Sequence, residues 1–255
     1  MRAVAATLRA AVAEARANPG AFWTQLAAMA LNDVAWVAFW VLFFHRVGSI
    51  RGWDRSRVFL LFAVLTTGAG LVLGVLSNAR RIGQLVSDGG IDAALALPVA
   101  PLPYLLVRRV DAVNIGDLVF GMALFAVSGR PTPARVAIYV VGSLTGAAVL
   151  AGFLVIVGSL TFFTGRGEAG DLGFHAIILL SSYPIDIFAG ATKVLLYTAV
   201  PAAFVAAVPT RLIDHFAAGE AAVLVAAASA SALLAHAVFT AGLRRYTSSA
   251  IWTRA

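Results

Sequence analysis

No charged side chain lies between Arg57 and Arg80, between Arg135 and Arg166, or between Glu220 and Arg244. Each interval is long enough for a helix to cross a hydrocarbon core, which takes about 20 residues. The same apolar pattern predicts spans over 22–44, 58–79, roughly 110–127, within 136–163, and 221–243. The first is broken only by Asn32-Asp33, and the third contains Asp117. Residues 172–210 are interrupted only by Asp186 and Lys193. As one helix at 1.5 Å per residue they would reach roughly 58 Å, about twice the core thickness. Pro184, Pro201 and Pro209 break that stretch further. The expected solution is one crossing and a partial return, a re-entrant pair of short helices over 184–211. Such backbone is tolerated at membrane depth only where protein or water shields it.

This pattern predicts an all-α polytopic membrane protein of six transmembrane helices, one transmembrane domain over 1–255, with both termini on one side. Residues 1–20 read as an interfacial helix. Arg2, Arg9 and Arg16 recur every seven residues on one face, Val4, Leu8 and Val12 lie on another, and Asn18-Pro19-Gly20 ends the run. The arginines also interrupt any signal-peptide core. The polar segment 80–103 is placed between spans two and three. Asp88 or Gly90 starts a short helix there and Pro98 stops it. Ile91, Leu95 and Leu97 supply apolar contacts beside the polar Asp92.

Composition sharpens this picture. Hydrophobic residues make up 61% of the chain and charged residues 12%, both displaced toward membrane-protein usage. The formal net charge of +7 reads as contact with anionic headgroups, not nucleic acid, since no basic cluster interleaves with aromatics. Cysteine is absent, which removes disulfides, thiolate metal sites and cysteine nucleophiles. Cytosolic termini would place Arg46, Arg51, Arg55, Arg57, Arg130, Arg135, Lys193 and Arg211 outside and the other eleven of the 19 basic residues inside, a weak bias in that direction.

Two motifs carry a resemblance. Gly90-Ile91-Asp92, Leu95, Pro98 and Pro101 form the first. Tyr183-Pro184-Ile185-Asp186-Ile187-Phe188, followed by Pro201 and Pro209, forms the second. Together they resemble ABC transporter permeases of the type-2 exporter class, in particular a bacterial branch of short permeases that includes viologen and drug exporters. Leu97 departs from the basic residue expected before the proline. The resemblance implies that Asp88, Gly90, Ile91, Asp92, Leu95 and Pro98 form a cytosolic coupling helix contacting an ATPase. It also implies that Pro184, Asp186, Phe188, Pro201 and Pro209 form the outer re-entrant element before the last span. The implied partners are two ABC-type ATPase subunits and a second permease, identical or homologous. The implied location is the bacterial inner membrane. ATP and magnesium would be held by the ATPase, with no cofactor in this chain. Its only lysine, Lys193, sits in no Gly-rich phosphate loop.

The intramembrane polar residues offer a translocation path. Asp33, Asn32, Trp36 and Phe39 on span one and Asp117 on span three are its candidates, against structural pairing and lipid contact. Asp186 and Lys193, seven apart, would not pair if the helix were continuous. His175 and His236 stand alone, as backbone-bonded histidines do more often than ligands. The leading expectation is an ATP-driven exporter of a hydrophobic or amphipathic molecule. An ATP-independent ion-coupled carrier or channel using Asp33 and Asp117 competes with it. An intramembrane protease using Ser159 is a distant third.

Overall fold

The computed structural model describes residues 18–246. The interfacial helix expected over 1–20 therefore lies outside the described residues except for its last three. There Asn18 accepts a hydrogen bond from the Ala21 amide at 3.3 Å and Pro19 begins the first long helix, α1 (Pro19–Val47). The last turn of α1 carries His45 and Arg46, and Gly48, at φ 74°, releases the chain.

A two-stranded antiparallel hairpin follows, β1 (Ser49–Ile50) and β2 (Trp53–Asp54), so the fold is not purely helical. Arg51 and Gly52 form its turn with φ of 48° and 82°, the left-handed pair that a two-residue hairpin demands. No period-2 run is long enough to announce the hairpin in the sequence. Asp54 then caps α2 (Arg55–Ala69), accepting the Arg57 amide at 2.9 Å. This helix continues through a π-helical stretch, Gly70–Val75, and is almost entirely buried. The polar elbow that follows holds α3 (Asn78–Ser87), α4 (Asp92–Leu95) and α5 (Pro101–Val107).

The next apolar helix, α6 (Ile115–Ser128), is shorter than the run predicted over 110–127 because Asp111 caps the amides of Val113 and Asn114 and delays its start. Next, α7 (Pro133–Ser159) is capped by Thr132 and led by Pro133, and extends through α8 (Thr161–Thr164) to the left-handed Gly165. The chain then forms α9 (Ala169–Ser181), a 3-10 turn (Ile185–Ile187), α10 (Gly190–Tyr197), a π-helical turn (Ala203–Ala207) and α11 (Val208–Asp214). It finishes in α12 (Ala218–Leu243). Among the described residues, four segments are long and apolar enough to cross a membrane: Pro19–Val47, Arg55–Val75, Pro133–Thr164 and Ala218–Leu243. Two shorter apolar helices are α6 and α9.

The centre of the structure is α2, packed on α6 and α7, with α12 and α3 also resting on α7. In lipid, hydrophobicity does not drive helices together, so close backbone approach must do so. Gly70 lies against the Leu118 backbone and Gly121 against Thr66 and Thr67, positions where a Cβ would collide. Beside this seam Phe125 stacks on Tyr139 at 3.9 Å, and the Tyr139 hydroxyl bonds Thr67. By contrast, α1 and α12 present many apolar side chains outward, among them Trp23, Leu31 and Leu42 on α1 and Val223 and Leu233 on α12.

Candidate functional site

Among the described residues, the ion pairs fall into two groups at opposite ends of the helices. One group joins the hairpin, the start of α7 and residues 183–220. Arg57 Nε meets Asp214 Oδ2 at 3.1 Å, and Arg135 Nη2 meets Asp214 Oδ1 at 3.2 Å. Asp186 accepts from Lys193 Nζ at 2.7 Å and from Trp53 Nε1 at 3.0 Å, while Arg211 bridges toward Asp186 at 3.7 Å and Glu220 at 3.2 Å. Burial disfavours the Asp186 carboxylate. The hydrogen bonds from Lys193 and Trp53 and the nearby charges of Lys193 and Arg211 outweigh it, holding the group below the usual carboxylate range.

Spacing excludes the Asp186–Lys193 pair only for a continuous helix. Phe188 and Ala189 are extended and Gly190 has φ 57°, so the helix is not continuous and α10 folds back over the 3-10 turn. Pro184 opens that turn, and Phe188 packs half-buried after it. Pro201 precedes the π-helical turn, and Pro209, buried, sits in the first turn of α11.

The second group gathers α3, α4, α5, the start of α9 and the end of α12. Asn78 Nδ2 donates to Leu105 O at 2.8 Å and Ser77 Oγ to Arg109 O at 2.9 Å, closing the elbow. Arg80 Nε binds Asp171 at 2.8 Å, with its guanidinium 4.1 Å over the Phe174 ring. Of the residues expected to touch an ATPase, Asp88 is exposed, accepting from Ser87 Oγ at 3.1 Å, and Gly90 packs on Leu85. Ile91 is fully buried and anchors the element from below. Asp92 accepts from the Tyr246 hydroxyl at 2.8 Å, which ties α4 to the end of α12. Tyr246 in turn meets Phe162 edge-on at 5.9 Å. Leu95 and Leu97, 39% and 41% exposed, and Pro98 form the outward apolar tip.

Between the two ends, Asp33 is buried, and its Oδ2 has no hydrogen-bond partner among the described residues. It faces Asp117, which stands in the first turn of α6. The structure thus brings together two carboxyl groups far apart in the chain. Asn32, Trp36, Phe39 and Tyr183 line an open groove of about 290 Å³ along α1, with Trp36 edge-on to Phe39 at 6.0 Å and to Tyr183 at 6.1 Å. Tyr183 was not among the residues assigned to the path from sequence. Its aromatic type beside Pro184 was the available signal.

His175 Nδ1 contacts Asp171 O at 2.7 Å, and His236 is on the exposed side of α12. Ser159 is fully buried and its Oγ has no partner among the described residues, so no base stands ready to activate it. Among the described residues no group of three His, Cys, Asp or Glu is placed to hold a metal ion.

The family model described as ABC-2 family transporter protein matches residues 30–250. No curated protein and no solved structure matches the chain.

Proposed function

The chain belongs to the ABC-2 family of transporter proteins, and from that premise we propose that it is the permease subunit of an ATP-driven exporter. Membership makes it the membrane-embedded component of an ABC transporter, a transport subunit and not a catalytic one. Our reading adds the direction, the route of coupling and the topology.

The observation that carries it is the braced tip at α4. A force applied to Leu95, Leu97 and Pro98 passes through Asp92 to Tyr246 and so to α12, and through α3 to α7. Rigid elements linked in this way transmit movement, whereas a free loop would absorb it. ATP closure of the partner subunits drives the tip. The chain's own lysine is engaged with Asp186 at the opposite end. Six crossings follow if α6 and α9 also span, and the division of polar contacts into two end groups supports that count. In this arrangement α3, α4 and the two termini face the cytosol of a bacterial inner membrane.

A single copy leaves α1 and α12 largely uncovered, so the transport path lies between this permease and a second one, identical or homologous, above two ATPase subunits. Its substrate is a hydrophobic or amphipathic molecule, drug-like or lipid-like, entering beside the Trp36–Phe39–Tyr183 groove. The facing Asp33 and Asp117 favour one competing reading, an ion-coupled carrier or channel. That reading requires transport to collapse with an uncoupler and to survive loss of the ATPase.

The test is purification of the tagged chain from its native membrane in mild detergent. An ABC-type ATPase is expected to co-purify with the unmodified chain and to be lost from Leu95→Asp/Leu97→Asp, with the permease still monodisperse. Recovery of the intact chain without any ATPase defeats the proposal.

A further inference from the structure

The cytosolic-end elbow encloses a polar cleft of about 240 Å³ that neither the coupling tip nor the translocation groove uses. Its walls come from the end of α2, from α3, from the loop before α6 and from the start of α9. Leu73 is the apolar part of the lining, and Ser77, Arg80, Arg81, Arg109 and Asn114 belong to its polar part.

The charges in this cleft can be accounted for one at a time. Arg80 is fixed by Asp171 and by the Phe174 ring, and Gln84 donates to the other oxygen of Asp171 at 3.4 Å. Asp111 accepts the amides of Val113 and Asn114 through Oδ1, at 3.0 and 3.4 Å, and so serves as a cap. Arg81 and Arg109 remain. Neither side chain makes an ion pair or hydrogen bond among the described residues. The Ser77 bond to Arg109 O nevertheless holds the Arg109 backbone at the rim. With Arg80 neutralised by Asp171, the two free guanidinium groups and Asp111 leave a surplus of one positive charge. That surplus matches one singly charged anion. A planar guanidinium, with its fork of donors, suits phosphate oxygens in particular.

The position of the cleft is as informative as its charge. Arg80-Arg81 follows an apolar helix and Arg108-Arg109 precedes another, which puts the cleft at headgroup depth with an apolar wall beside it. A basic pocket between helix ends on the cytosolic side has the chemistry that recognises anionic lipid headgroups.

We propose that Arg81 and Arg109, with Asn114 beside them, form a binding site for a singly charged phosphate diester such as the headgroup of an anionic phospholipid. This rests on the cytosolic-face assignment made above but not on export or on the ATPase. Bound there, the anion would join α3 to the segment before α6 and stiffen the elbow that carries the coupling tip.

The experiment uses the purified full chain in neutral detergent. Short-chain phosphatidylglycerol, short-chain phosphatidylcholine and inorganic phosphate are added in separate arms, read by thermal unfolding and by native mass spectrometry. Phosphatidylglycerol is expected to raise Tm and to remain bound, phosphatidylcholine to do neither, and Arg109→Gln to weaken retention about tenfold. Arg109 is exposed, so its replacement leaves the fold intact. Arg81→Gln supplies a second variant, and Arg130→Gln, at the opposite end, is the control for net charge. A Tm rise with phosphate alone, lost in Arg109→Gln, supports the site with a soluble ligand in place of a lipid. Equal retention of both lipids, or equal loss in Arg130→Gln and Arg109→Gln, overturns it. Because no ATPase is involved, failure here is distinguishable from failure of the co-purification test.

Discussion

Trp53 Nε1 donates a 3.0 Å hydrogen bond to Asp186 Oδ2 across 133 residues of sequence. The bond fastens the first hairpin to the broken segment after α9. Asp186 is therefore a hub, holding Trp53, Lys193 and Arg211 around one carboxylate. An indole N–H and two cations would all lose a partner with it. A hydrogen bond to a charged group contributes about 1.5–3 kcal/mol when well shielded. Lys193 is more than a third exposed, so its share is at the low end.

Replacing Asp186 by Ala is accordingly expected to cost about 2 kcal/mol, and Trp53→Phe about 1 kcal/mol. Both should appear as lower Tm in detergent, and the double variant should fall short of their sum, because both remove the same bond. An additive double variant would separate the two residues.

The same carboxylate has a pH signature. Its folded pKa is depressed, so its contribution to stability is fully present above the unfolded value of about 3.9 and disappears as pH falls through the lower folded value. Tm should show no step from this group between neutral pH and about pH 5, and a loss below about pH 4. Asp186→Asn should blunt that acid loss, as measured by unfolding scans across the range.

The glycine seam sets the spacing of α2 and α6. Gly70→Val forces a side chain into the Leu118 backbone and Gly121→Ala forces one into Thr66 and Thr67. Each is expected to destabilise by about 1–3 kcal/mol through overpacking. Gly20→Ala, where nothing lies within 4 Å, is the matched control and should leave Tm unchanged or slightly raised.

On the proposed reading of α4 as the coupling element, Tyr246 separates docking from transmission. Tyr246→Phe keeps the ring packed against Phe162 and removes the hydroxyl bond to Asp92. The ATPase should still co-purify, while transport per ATP hydrolysed falls several-fold, in line with a bond of about 1 kcal/mol. Unchanged coupling in reconstituted vesicles would mean that α12 does not carry the movement.

Asp33→Asn tests the facing carboxyl groups. The change leaves volume and shape nearly constant and removes a buried carboxyl group whose Oδ2 has no hydrogen-bond partner among the described residues. Tm should therefore hold or rise, since a buried polar oxygen left without a partner disfavours the folded state. Transport should fall with the ATPase still bound. An unaltered transport rate would assign Asp33 to packing alone.

How far the residues themselves foretold this structure varies by region. The long apolar intervals bounded by Arg57, Arg80, Arg135 and Arg166 were legible, because crossing lipid requires an unbroken run of helix with no charge to solvate. So were the prolines that break the segment after Tyr183. The Asp186–Lys193 pair was not, since a spacing of seven excludes contact on an ideal helix, and only the fold-back at Gly190 overrides it. The hairpin was hidden because two residues per strand leave no readable period. Ile91 reads in the sequence only as an apolar residue of a short helix, and its burial depends on what lies beneath α4.

The chain's local pattern alone determined that this is a helical membrane protein with polar elbows, because solvation by lipid acts on every residue independently. Which polar residues meet was decided by tertiary structure. Asp33 facing Asp117, Asp92 joined to Tyr246, and Arg81 and Arg109 sharing one cleft depend on how the helices pack. That packing is governed by glycine contacts and ring stacking between distant segments, interactions that one-dimensional hydrophobicity does not encode.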